Sequence, residues 1–512
     1  LVTLVESDLH EEISPDDFAW VSGFCCSLCL SSIVVAADPP NIVVIVADDL
    51  GWADVSFHGN EIKTPNLKRL VVEGAELSRF YVCPVCSPTR AGLMTGRYPI
   101  RFGLMRAVVP PWRKGGLDPA EVTLPEVLAK AGYRQRGIFG KWHLGHSHIK
   151  YHPLRRGFTE FVGHYNGAID YFTHHREGEL DWHHDYDSSH DEGYSTDLIT
   201  DAAVKFIQRH ADADTPFFCY VPYNAPHGPL QAKAADLQEY RHLAGDLARF
   251  NSGRQDLAKY GTQGRGESRR QTLAAMISSF DQGVGRILRA LDENQLADKT
   301  LVWFFSDNGG TPPGDNLPLN GRKGTVFEGG IRVAAAARWP GVIAAGSKVE
   351  VPLAYIDVLP TLMRVAGVKT HGGKPLDGVD ALDVLTGATK KIPRDLYSYI
   401  GQQGEASERI SLLEPTWKLI VNGPKISDAG IPRSRRNTLL YRIETDPYES
   451  KNLAEQHPDV VDRMWKKLAK FRSLQPANAV APYQSRDNSF TPPPEWKILH
   501  GDGQEAKQRS TR

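Results

Sequence analysis

Residues 41–47 read Asn-Ile-Val-Val-Ile-Val-Ala, a run with no polar face. A strand apolar on both sides must be covered on both sides, as in a parallel sheet between layers of helices. Similar runs follow at 216–222 and Leu301–Phe305. Helical stretches lie between them. Thr64-Pro65-Asn66 opens one with a cap and a proline, Thr123 opens another that stops at Gly132, and Ser195–His210 forms a third. Gln271–Leu296 is the longest, with Met276, Ile277, Phe280, Val284, Ile287, Leu288 and Leu291 on the helical period. Strand and helix alternate to about residue 390. The pattern predicts an α/β domain built on a mostly parallel sheet flanked by helices, with its site at the strands' carboxyl ends.

Those ends are polar. The first run stops at Asp48-Asp49, the second leads to Asn224-Ala225-Pro226-His227, and the third to Ser306-Asp307-Asn308. Adjacent carboxylates at the end of a central strand are costly without a cation beside them, and a hard divalent ion is the simplest one. A solvated turn is the plainer alternative for Asp48-Asp49 taken alone. Gly137–Gly140 is a short strand leading to Lys141-Trp142-His143, so Lys141 and His143 point the same way if strand geometry persists. Gly321–Arg332 is a Gly-rich loop bearing Lys323.

Cys86 sits in Cys83-Pro-Val-Cys86-Ser87-Pro88-Thr89-Arg90. Pro88 suits the first position of a helix with Ser87 as cap, which would place Cys86 at the helix mouth, where anions are favoured. Arg90 adds a planar fork of donors suited to a tetrahedral oxyanion. Cys83 and Cys86 also form a C-x-x-C pair, open to a redox or zinc reading, although no second pair follows. The six cysteines imply no disulfide framework, and a net charge of −1 argues against a nucleic-acid binder, so anion recognition must be local. Residues 164–194, rich in His and Asp, read as a loop lining a cleft, with a second metal site as an alternative; 232–270 read as a charged insertion.

With 512 residues the chain exceeds one ordinary core. Residues 38–393 make the main domain. Short strands at 396–400, 409–413, 417–421 and 438–443, with a helix over 458–474, make a smaller α+β domain at 394–475 carrying an antiparallel sheet. Residues 476–512 read as an irregular tail. Residues 1–37 include an apolar stretch, 19–37, ending in small residues before Asp38, which reads as an export segment. No other stretch is apolar enough to span a bilayer, and no Asn-x-Ser/Thr sequon occurs. A periplasmic or secreted protein of bacterial source, with no stable membrane span after processing, is the expectation.

Cys86-Ser87-Pro88-Thr89-Arg90 extended by Leu93-Met94-Thr95-Gly96-Arg97 resembles the signature of the type I, formylglycine-dependent sulfatases. Ala47 to Trp52, Gly140 to Gly145, Ser306 to Gly310, and Leu440-Tyr441 through Asn452-Leu453 resemble further motifs of that family. His227 to Leu230 and Gly321-Arg322-Lys323 with Glu328-Gly329-Gly330 look most like the arylsulfatase B, N-acetylgalactosamine-4-sulfatase-like group. The resemblance implies an alkaline-phosphatase-like fold and hydrolysis of sulfate monoesters, of a sulfated sugar or polysaccharide or of an aryl sulfate. It implies that Cys86 is oxidised to formylglycine by a formylglycine-generating or anaerobic sulfatase-maturing enzyme. Its hydrated aldehyde would attack sulfur with one hydroxyl and expel sulfate with the other. Asp48, Asp49, Asp307, Asn308 and residue 86 would hold one Ca²⁺. Arg90 would stabilise the diol, and Lys141, His227 and Lys323 would neutralise the sulfate. His143 would be the base of the elimination, and His227, with Lys323, would protonate the leaving oxygen. Two rival readings are a phosphonate or phosphate ester hydrolase of the same superfamily and an inactive protein that binds sulfated glycans. Thr89 is a mild departure, because Ser or Ala often fills its place in the family.

Overall fold

The computed structural model describes residues 39–59, 61–245, 260–423, 437–483, 485 and 489–498. The export reading of 1–37 therefore lies outside the described residues.

The main sheet has ten strands: β1 (Asn41–Ala47), β2 (Ala75–Leu77), β3 (Gln135–Lys141), β4 (Glu160–His164), β5 (His183–His184), β6 (Asp187–Ser188), β7 (Phe217–Pro222), β8 (Thr300–Ser306), β9 (Ala335–Arg338) and β10 (Ser347–Val349). Their spatial order is β10-β2-β9-β8-β1-β7-β3-β4-β5-β6. The five central strands, β8-β1-β7-β3-β4, are all parallel, and antiparallel pairs occur only toward the two edges. Ala47 pairs with Ser306 and Val46 with Pro222, so three strands end level with one another. That register brings their polar ends to one place.

The two-residue period of β1 divides the core. Ile42, Val44 and Val46 join one apolar cluster, while Val43, Ile45 and Ala47 join another formed largely by helix Arg269–Glu293 and helix Ser195–Arg209. Each such Val or Ile contributes about 1.5–3 kcal/mol by leaving water. Proline opens helix Pro65–Val72 as expected, but Thr64 does not cap it. The Asn66 and Leu67 amides donate instead to Asp281 of the long helix, at 3.1 and 2.8 Å. The Thr64 hydroxyl is engaged by Ser56.

Leu396–Ile400, Arg409–Leu413, Lys418–Asn422 and Thr438–Tyr441 form a four-stranded antiparallel sheet in sequence order. Helix Pro458–Arg472 packs on it, and Phe471 stacks on Tyr397 at 4.4 Å. Residues 164–194 are more structured than a loop. They contain the hairpins His175–Arg176/Glu179–Leu180 and His183–His184/Asp187–Ser188. Asp181, fully buried, ties the stretch together by accepting from the Tyr165 and Asn166 amides, both at 2.9 Å. The described part of the tail packs back onto the body, with Trp496 completely buried.

Candidate active site

Cys86 stands at the N-terminus of helix Cys86–Thr95, every residue of which is buried. Val85, extended at φ −150°, is the residue before the first turn, so Ser87 is inside the helix and is not its cap. The Ser87 hydroxyl accepts from the Val109 amide at 3.0 Å. Ser87 is spent on anchoring the 109 segment, because the cap requires the extended backbone that Val85 supplies. Thr89 anchors the other side. Its hydroxyl donates to the Asp307 carbonyl at 2.7 Å and accepts from the Cys83 amide at 3.0 Å. The thiols of the C-x-x-C pair face different partners, Cys83 the Tyr355 hydroxyl and Cys86 the His143 ring, and both are free.

Strand geometry ends at Lys141, and His143 has φ +55°, so the expected alternation is not what aligns Lys141 with His143. Both reach the site by the turn that follows. Lys141 Nζ lies on Asp48 Oδ2. His143 Nδ1 is 3.3 Å from Cys86 Sγ, and its Nε2 is 3.0 Å from the Val109 carbonyl. Burial, then Lys141 and Arg90, hold His143 well below its ordinary pKa, so the ring is neutral. A carbonyl can only accept. The proton therefore sits on Nε2, and Nδ1 presents a lone pair to residue 86.

Arg90, 1% exposed, donates to Asp307 Oδ2 through Nε and Nη2 at 3.0 and 2.8 Å and to the Lys141 carbonyl at 3.0 Å. Asn308 Nδ2 donates to Asp49 Oδ1 at 2.7 Å. Lys323 Nζ also lies on Asp49 Oδ1, and His227 Nε2 is 3.7 Å from Asp49 Oδ2. Burial lowers the pKa of His227. For Asp48, burial pushes upward, but Lys141, His227, Arg90 and Lys323 together hold the carboxyl well below its usual range. Burial raises the Cys86 thiol, so an unmodified cysteine here is a poor nucleophile.

The acidic groups fit a hard cation. Asp48, Cys86 and Asp307 offer atoms within 4.8 Å of one another, as do Asp48, Asp49 and His227. Asp48 Oδ1 and Asn308 Oδ1 are buried without a hydrogen-bond partner, the condition of an oxygen meant for a metal. The glycines after Asn308 allow the close approach. A Cβ on Gly309 would lie 1.9 Å from the Gly329 carbonyl oxygen.

All ten residues expected at the site therefore converge. Sequence reasoning missed the backbone carbonyl of Val109, the Thr89 tie and a buried triad. In that triad Lys418 of the C-terminal sheet lies 2.7 Å from both Glu449 and Glu328, and Glu328 is five residues after Lys323. Nothing in the sequence marks which carbonyl a histidine will meet. A cavity of about 570 Å³, lined by Arg79, Lys348, Val384, Lys391 and Leu413 among others, lies apart from this cluster.

A family model described as Sulfatase matches residues 40–368. The chain belongs to the sulfatase family. The sulfatase is a sulfuric ester hydrolase of the alkaline-phosphatase-like fold. It is 29% identical to arylsulfatase J of Mus musculus over 497 residues, covering 88% of this chain and 78% of that protein. It is 33% identical to N-acetylgalactosamine-6-sulfatase of Mus musculus over 393 residues, covering 72% of this chain and 70% of that protein. The crystal structure of Ps i-CgsB in complex with k-i-k-neocarrahexaose is 28% identical, with TM-score 0.75, covering 87% of this chain and 95% of that one. A phosphonate monoester hydrolase of Agrobacterium radiobacter shares the fold at 21% identity and TM-score 0.59, covering 86% and 97%.

Proposed function

We propose that the sulfatase hydrolyses sulfate monoesters of a sulfated sugar or polysaccharide, using formylglycine made from Cys86 and a Ca²⁺ ion. The observation that carries this reading is the placement of residue 86 between a neutral imidazole lone pair and a carboxylate cluster with partnerless buried oxygens. The sugar substrate class is supported by the names of the relatives, one an N-acetylgalactosamine-6-sulfatase and one a structure in complex with a neocarrahexaose.

Asp48, Asp49, Asp307 and Asn308 would hold the ion, which supplies Lewis-acid polarisation of a sulfate oxygen. Formylglycine supplies two hydroxyls on one carbon, so one can take the sulfuryl group and the other can expel it without an attacking water. The chain's own groups do the rest. His143 Nδ1 accepts the hydroxyl proton of residue 86, its tautomer set by Val109. Arg90 orients residue 86 and Asp307 together. Lys141 and Lys323 bring positive charge to the sulfate oxygens as negative charge grows there. His227, with Lys323 beside the same carboxylate, is placed to deliver a proton to the leaving alcohol oxygen.

Export to a periplasmic or secreted location in a bacterial source is the companion reading of residues 19–37, and maturation by a formylglycine-generating or anaerobic sulfatase-maturing enzyme goes with it. No described helix is long and apolar enough to cross a membrane. Two measurements test the proposal. Peptide mass analysis of active enzyme should find the peptide containing residue 86 lighter by about 18 Da, the thiol-to-aldehyde difference. An unmodified peptide in active enzyme overturns the nucleophile. Matured protein should turn over aryl sulfate faster than aryl phosphate; the reverse order points to a phosphate or phosphonate esterase, and no turnover of either to a glycan binder.

A further inference from the structure

The C-terminal segment 489–498 lies beyond the residues matched by the family model, yet one of its side chains is driven into the body of the molecule. Trp496 is fully buried, and its indole meets the His146 ring edge to face at 5.2 Å and 88°. Its Nε1 donates to the Arg176 carbonyl at 2.9 Å, and the Phe490 ring lies 6.0 Å from it. Glu495 and Trp496 both sit in the left-handed region, at φ +49° and +47°. Two successive residues without glycine's freedom hold that conformation only where the surroundings impose it.

His146 leads on to the reacting groups. It is 5% exposed, and its Nε2 donates to the Pro111 carbonyl at 2.8 Å. Pro111 is two residues from Val109, whose carbonyl sets the His143 tautomer and whose amide is held by Ser87, the residue after Cys86. Tyr483 adds a second hold on the same segment, its ring tilted against Trp112 at 5.0 Å while its amide donates to the Gln402 carbonyl at 2.8 Å. One continuous path therefore runs from Trp496 through His146 and Pro111 to Val109, His143 and residue 86.

We infer that the C-terminal segment is a strap whose anchor, Trp496, is a positioning residue that holds the 109–113 backbone, and through it the basic nitrogen of His143, in place. Trp496 acts through His146 and the Pro111 carbonyl. The inference rests on the reading of His143 as the base at residue 86.

The test compares full-length, matured protein carrying Trp496→Ala, Trp496→Phe and His146→Leu on an aryl sulfate. Amide hydrogen exchange is followed in parallel. Trp496→Ala should lower kcat about ten-fold or more while KM stays within about two-fold, since misplacing a reacting group costs rate more than affinity. Exchange should quicken at the amides of Val109, Trp112 and Arg113 and of 143–146 and stay slow in strand β8. Trp496→Phe, which keeps the ring against His146, should recover most of the rate. An unchanged kcat, or a rise in KM alone, overturns the inference. Should Trp496→Ala fail to fold, His146→Leu decides, with the same kcat loss expected and an unaltered kcat contradicting the path. If the matured parent itself turns over no sulfate ester, the reading of the base fails separately. Exchange at Val109, Trp112 and Arg113 still reports the strap, faster exchange supporting it and unaltered exchange overturning it.

Discussion

The Val109 carbonyl accepts from His143 Nε2 at 3.0 Å, and this bond decides which nitrogen of His143 faces Cys86. A backbone oxygen here does what a buried carboxylate does in other base pairs. It fixes the tautomer without adding a charge, in a site already crowded with Asp48, Asp49 and Asp307. Burial and the neighbouring Lys141 and Arg90 keep the ring neutral.

Removing that lone pair should stop the chemistry and leave the modification intact. His143→Ala should lower kcat by about 10²–10⁴-fold. The mass of the residue 86 peptide should match that of the parent. A kcat within ten-fold of the parent would place the base elsewhere.

Calcium should stabilise the fold as well as support turnover. Asp48 Oδ1 and Asn308 Oδ1 are buried without partners, so filling the site satisfies them. Adding Ca²⁺ to chelated protein at about 100 times its Kd should raise stability by about 2.7 kcal/mol. Differential scanning calorimetry reads this as a rise in Tm, and Asp48→Ala should abolish the rise. A rise of equal size in that variant would mean the ion binds at another place.

Thr89 should matter through its hydroxyl rather than through its methyl. The hydroxyl joins the helix of Cys86 to the Asp307 carbonyl at 2.7 Å. Thr89→Ser keeps the bond and should leave activity near the parent's. Thr89→Val strands a buried carbonyl and should cost about 1–3 kcal/mol in urea unfolding. Equal stability of the two variants would remove Thr89 from the site's framework.

Asp181 should make stability depend on acid. Burial raises its pKa, but His183 and His164 and the Tyr165 amide outweigh burial and leave it below the ordinary 3.8. A carboxyl depressed in the folded state adds stability above its unfolded pKa and loses it as the pH falls through the folded one. Asp181→Asn should therefore cost about 1.5–3 kcal/mol at pH 7. The gap from the parent should narrow as the pH is taken below about 4. A gap independent of pH would show that the charge on Asp181 contributes nothing.

Much of the site was legible because its residues sit at strand ends and in short motifs. Asp48-Asp49 and Asp307-Asn308 each follow an apolar run, and the level register of β1 with β8 does the rest. Lys141 and His143 were expected together for a reason that does not hold, since the chain leaves strand geometry after Lys141. Ser87 looked like a cap, and its hydroxyl went to the Val109 amide. Local chemistry told which side chains can bond, while their partners depended on chain brought in from elsewhere.

The sequence by itself determined the layers, the polar strand ends and the nucleophile's motif, because periodicity and residue chemistry act over a few neighbouring positions. Tertiary structure alone decided that Val109 sets His143, that Asp281 caps the helix at Asn66, and that Trp496 folds back onto His146. Every carbonyl is chemically the same along the chain, and contacts between residues hundreds of positions apart are selected by packing, so neither leaves a mark in local composition.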